Sequence, residues 1–141
     1  MGRRTLRRKH KKPKPRKTKL TLEENLKRII EKIETAKNNH GLKQHVEIVA
    51  ATKTRQISII QECYKLGITT IGENRIQEAE EKFFHFPGFE KIKKRFIGHL
   101  QTNKAKKCLN MFDTIDSIDT IKLAKKLNSS PKKNKKANET L

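Results

Sequence analysis

Val46-Glu-Ile-Val-Ala-Ala-Thr-Lys53-Thr-Arg55 passes from a β-branched apolar run, through two small residues, into a polar turn. The pattern predicts a strand over 46–51 that delivers Lys53 just past its C-terminal end. A helical pattern follows at once over 56–66, with Ile57, Ile60 and Leu66 on one side. Strand, turn and helix in that order make the unit of parallel α/β folds, which keep their chemistry at the carboxyl ends of the strands. On spacing alone Lys53 is a reactive amine or one more cation in a very basic chain, and spacing favours the solvated cation.

The unit repeats downstream. A strand is expected over 68–71, with Gly72-Glu-Asn-Arg75 as its exit loop and a helix over 76–84 that turns Ala79 and Phe83 inward. Pro87-Gly88 breaks that helix. A short helical piece near 89–94 leads to a strand over 95–98 and an exit loop from His99 to Asn103. A helix over 104–111, a strand over 113–117 and a helix over 119–128 complete the series. Upstream, Thr21 and Glu24 form a capping box ahead of a helical stripe of Leu22, Leu26, Ile29, Ile30, Ile33 and Ala36. Asn38-Asn-His-Gly41 ends it, with His40 at the negative end of the helix dipole.

Four alternations of strand and helix predict a parallel sheet joined by right-handed crossovers. The four strand exits then bring Lys53, Asn74, His99 with Asn103, and Ser117 to one rim. Each has a plain reading too. Asn74 is equally a turn residue after Gly72, and His99 is more often a loop hydrogen-bonder than a base. Arg55, Arg75, Asn103 and Lys104 serve equally as polar rim or helix-cap residues. A (β/α)8 barrel takes about 250 residues. The expected fold is therefore α/β, with parallel (β/α) repeats forming about the first half of a TIM-type barrel.

The formal net charge of +20 over 141 residues is concentrated at the two ends. Residues 1–20 hold eleven Lys or Arg and no acid, and residues 131–141 hold four Lys against Glu139. The expected domains are a disordered basic tail over 1–19, the barrel segment over 20–130 and a second disordered basic tail over 131–141. A solvated extension is the favoured reading of residues 1–19; the alternative is a polycation that binds nucleic acid or ribosomes without sequence choice, at roughly 10⁻⁴–10⁻⁶ M. No aromatic residue is interleaved for base stacking. Cys63 and Cys108 have neither disulfide nor zinc spacing and read as buried hydrophobes. No apolar run approaches the ~20 residues of a membrane span, and no apolar segment follows the basic N-terminus as in a signal peptide. A cytoplasmic protein with no membrane partner is expected.

Three motifs, Val49-Ala-Ala-Thr-Lys53-Thr-Arg55, Gly72-Glu-Asn-Arg-Ile-Gln-Glu78 and Arg95-Phe-Ile-Gly-His-Leu-Gln-Thr-Asn-Lys104, occur in this order. Together they resemble the pyridoxal phosphate homeostasis protein family, single-domain relatives of the alanine racemase N-terminal barrel. The resemblance covers about 21–130 and implies a carrier that buffers pyridoxal 5′-phosphate, not an enzyme. It matches Lys53 to the lysine that forms an internal aldimine with the cofactor, and Asn74, His99 and Asn103 to the cofactor-binding rim. Arg75 stands where the family commonly has Tyr. The phosphate of such cofactors usually sits in the loops after strands seven and eight. A chain with four strands is therefore expected to be truncated, to retain cofactor weakly and to self-associate through its incomplete barrel. An aldehyde is attacked by neutral amine, so a rim that partly desolvates Lys53, with Arg55 nearby, is also expected.

Overall fold

The computed structural model describes residues 20–86 and 88–130. The two basic tails, and with them the alternative nucleic-acid role of residues 1–19, lie outside the described residues.

The capping box forms as expected: the Thr21 side chain accepts from the Glu24 N–H, and Glu24 Oε2 takes the Thr21 N–H at 2.8 Å. It starts α1 (Leu22–Asn39), which runs to a C-cap at His40. Only Leu26 of the apolar stripe is buried, against Cys63 and Ile68, whereas Ile29 and Ile30 are 46% and 45% exposed. The second half of the expected stripe thus has no covering element among the described residues.

Four strands follow, β1 (Ala50–Ala51), β2 (Thr70–Glu73), β3 (Lys93–Phe96) and β4 (Thr114–Ile115), all parallel and in sequence order across one sheet. Between them run α2 (Ile57–Lys65), α3 (Ile76–Phe84) and α4 (Ala105–Met111), and α5 (Ile121–Asn128) follows β4. The expected alternation is therefore present in full, and Gly67, at φ +85°, ends the α2 segment as a glycine stop should.

The strand boundaries differ from those expected. The β1 ladder covers only two of the six residues over 46–51, because β1 lies at the sheet edge and pairs on one side only. β2 begins two residues later than expected and includes Gly72 and Glu73, which look like loop residues in the sequence. Gly72 belongs there because a β-carbon would come within 2.8 Å of the Ile97 side chain. β3 begins two residues earlier and includes Lys93 and Lys94. The helical piece expected over 89–94 is a single 3-10 turn, Phe89–Lys91, and α5 starts only after its Thr120 cap, whose side chain accepts from the Leu123 N–H.

Ile71 and Ile92 pack with Ile60 and Phe89, and Phe96 packs with Ala79, Cys108, Phe112 and Leu123. This helix-side packing is the core. Burial pushes the Cys108 thiol up to about 12, and both cysteines are free and buried, as expected. No helix among the described residues is long and apolar enough to cross a membrane.

The strand exits are pressed tightly together. A β-carbon on Gly98 would stand 2.3 Å from the Asn74 carbonyl oxygen, and the Ser117 hydroxyl donates to the Gly98 carbonyl. Gly98→Ala drives a methyl group into backbone that has no room to move, so the loss should reach about 1–3 kcal/mol or more. A lowered urea midpoint with unchanged slope is the expected result.

Candidate functional site

The parallel topology places residues after each strand at one end of the sheet. Lys53 comes two residues after β1, Asn74 one after β2, His99 three after β3 and Ser117 two after β4. The four expected exits therefore share a rim. Their individual settings are different.

Lys53 occupies a turn closed by the Arg55 N–H donating to the Thr52 carbonyl at 2.9 Å. Lys53 and Arg55 are both exposed. The desolvation expected at Lys53 is thus not supplied by the described residues, because the rim is open to solvent on this side. Thr54 has φ 60°, the left-handed region that non-glycine residues rarely enter. Such a conformation persists only where the surroundings over-determine it.

Those surroundings are side chains that the sequence does not advertise. The Thr52 N–H donates to the Gly72 carbonyl at 3.0 Å, and the Thr52 hydroxyl donates to Glu73 Oε1 at 2.7 Å. Glu73, on β2, is fully buried on the helix side. Lys82 of α3, also buried, donates to Glu73 Oε1 at 2.9 Å, to the Thr52 carbonyl at 2.9 Å and to Glu78 Oε1 at 2.7 Å. Glu78 Oε1 in turn accepts the Thr54 N–H at 2.6 Å. Removing one partner of such a buried pair leaves an uncompensated charge and costs about 3–5 kcal/mol. The one signal in sequence was the i,i+4 spacing of Glu78 and Lys82, which reads as an ordinary solvated pair.

Asn74 is half-buried, and its Oδ1 is buried without a hydrogen-bond partner beside the close approach of Gly98. A buried acceptor left unmatched is costly and marks a position where a donor is wanted. His99 is exposed, with Nδ1 3.0 Å from Asp119 Oδ2. It lines a shallow cleft of about 190 Å³ together with Arg75, Gln77, Phe96, Gln101 and Lys104. Asn103 is exposed on the 3-10 turn Thr102–Lys104 and is not among the residues lining that cleft, nor are Lys53 and Asn74. The structure therefore brings Asn74 against the β3 exit and ties His99 to the segment after β4, while Lys53 stands apart on its braced turn.

The sheet face away from the helices is polar. Glu47 accepts from Thr70 at 2.8 Å, from Lys93 at 3.3 Å and from Arg95 at 3.2 Å, and Arg95 reaches Asp116 at 3.0 Å. The Thr70 hydroxyl, followed by Lys93, holds the Glu47 carboxyl below its ordinary value.

No family model matches the chain. It is 37% identical over 119 residues to the pyridoxal phosphate homeostasis protein of Haemophilus influenzae, covering 82% of this chain and 50% of that protein. The protein of the same name from Escherichia coli K12 is 34% identical, over 74% of this chain and 46% of its own length. Among solved structures, PipY of Synechococcus elongatus with PLP bound is 30% identical, with a TM-score of 0.55 over 71% of this chain and 46% of PipY. A protein from Bifidobacterium adolescentis is 35% identical, with a TM-score of 0.64 over 74% of this chain and 47% of its own. The chain spans about half the length of the relatives it matches.

Lys82, followed by the Thr54 N–H against the opposing cost of burial, holds the Glu78 carboxyl below its ordinary value of 4.5. A depressed folded-state value means stability that is present above the unfolded value and lost as pH falls through the folded one. Glu78→Gln removes that contribution. The difference in urea midpoint between parent and variant should be widest above about pH 5 and should shrink as the pH is lowered below about 4.5. A difference that stays constant with pH contradicts the assignment.

Proposed function

We propose that this chain, which is similar to the pyridoxal phosphate homeostasis proteins over half their length, binds pyridoxal 5′-phosphate at the strand-exit rim and attaches it through Lys53. In this reading it acts as a carrier and not as an enzyme. The cofactor supplies an aldehyde that condenses with an amine and releases one water. The chain supplies the amine on a turn of fixed shape, with the exposed lysine end free to react. Among the described residues no side chain pairs with the Lys53 amine, so no ion pair has to be broken first. Neutral amine is the reacting form.

The unmatched Asn74 Oδ1 supports the fit, because it offers a buried acceptor at the adjacent exit. His99, held by Asp119, and Asn103 complete the proposed binding set on the β3 exit. That a PLP-bound PipY structure is similar to this chain favours the same ligand here. The observation that carries the reading is the Lys53 turn itself, an exposed amine on a strained, multiply braced loop at a parallel strand exit.

The four strands make up, in this proposal, the first half of a TIM-type (β/α)8 barrel. Made alone, such a chain holds cofactor weakly, since anchoring rests on one covalent bond and a few polar side chains. Among the described residues β1 and β4 leave two sheet edges unpaired, which favours self-association.

Treatment of the 141-residue chain with pyridoxal phosphate and borohydride, followed by peptide mapping, tests the assignment. The adduct should concentrate at Lys53 and vanish in Lys53→Ala. Labelling spread over the surface lysines contradicts it. Sedimentation velocity should show concentration-dependent association at micromolar protein, and a monomer throughout would refute the edge argument.

A further inference from the structure

We infer that Lys82 is a positioning residue that sets the place of Lys53 without touching the ligand. The inference deepens the proposed function and rests on Lys53 being the attachment point. A lysine ammonium has three donors and no acceptor. Those of Lys82 all go to one small region: the Thr52 carbonyl, Glu73 Oε1 and Glu78 Oε1.

Two of these acceptors belong to the turn or hold it directly. The Thr52 carbonyl is the backbone group immediately before Lys53, and it also takes the Arg55 N–H that closes the turn. Glu78 Oε1 accepts the N–H of Thr54, the residue immediately after Lys53. The third acceptor, Glu73 Oε1, takes the hydroxyl of Thr52 as well. One ammonium thus braces the chain on both sides of Lys53, and it does so from the helix side of the sheet.

Stability alone does not call for this arrangement. A buried ion pair is commonly no better than well-packed apolar side chains of similar volume. What the ion cluster adds is direction: it fixes a left-handed Thr54 that apolar packing has no means to specify. Glu73 Oε2 stays buried and unpartnered, a further sign that this carboxylate is placed for the geometry of its other oxygen. Positioning of this kind matters because small displacements of a reacting group cost large factors in rate.

The test uses the full chain with Lys82→Met, which keeps length and loses charge, and Glu78→Gln, which weakens the half-exposed end of the cluster. The first readout needs no ligand: hydrogen exchange of the Thr54 amide. Lys82→Met should speed it about tenfold while amides of β2 and β3 keep their protection. The second is the share of borohydride-fixed pyridoxal phosphate found at Lys53, which should fall about fivefold at equal total labelling. Glu78→Gln should move both readouts in the same direction and by less, and it decides the matter if Lys82→Met does not fold. Unchanged Thr54 exchange and unchanged Lys53 labelling in a folded variant overturn the inference. Should the parent chain carry no adduct at Lys53, the proposed function fails, and the Thr54 exchange still decides whether Lys82 braces the turn.

Discussion

The Lys82 ammonium, shut between Glu73, Glu78 and the Thr52 carbonyl, is the interaction on which the rim depends. β1 pairs with β2 through only two residues, too short a ladder to fix the turn beyond it. The position of that turn is therefore settled by side chains reaching from β2 and α3. A buried cation must have its donors matched, and a buried carboxylate must have a counter-charge. Each group here is the answer to another's cost, so the cluster forms as a unit. α3 is thereby held against the first strand exit as well as the second.

The opposite face of the sheet obeys a different logic. Inward-facing layers of a (β/α)8 barrel are dominated by branched apolar side chains. Here Glu47, Thr70, Lys93, Arg95 and Asp116 link side chains across four successive strand segments. Partly exposed pairs of this kind contribute little stability, about 0–1 kcal/mol each. Their value lies in register, since a slip of one residue would turn Lys93 and Arg95 toward the core and break every pair.

The order of elements was legible from periodicity, because each helix carries an apolar stripe and each strand is preceded or followed by turn residues. The exact strand limits were not. Gly72 and Glu73 look like loop until one knows that Ile97 packs over the glycine and that Lys82 neutralises the acid. Lys93 and Lys94 read as the end of a short helical piece, yet Lys94 is buried with its amine 3.5 Å from Asp113, and Lys93 meets Glu47 across the sheet. Both misreadings have one cause: a charge whose partner is remote in sequence is indistinguishable from a charge in water. The place of Lys53 in the chain, on the turn between the first strand and its helix, was legible because that signal is local, a strand ending in a polar turn. The brace beneath it was not, because Thr52, Glu73 and Lys82 meet only after the crossover has folded.

Direct observation of the lysine amines tests the central claim, that Lys53 is distinguished from the other basic side chains by where the turn holds it. With lysine labelled at Nζ with nitrogen-15, pyridoxal phosphate at substoichiometric concentration should move one resonance, the one missing from Lys53→Ala. Many resonances shifting together in proportion to ligand, with none belonging to Lys53 alone, would contradict the account.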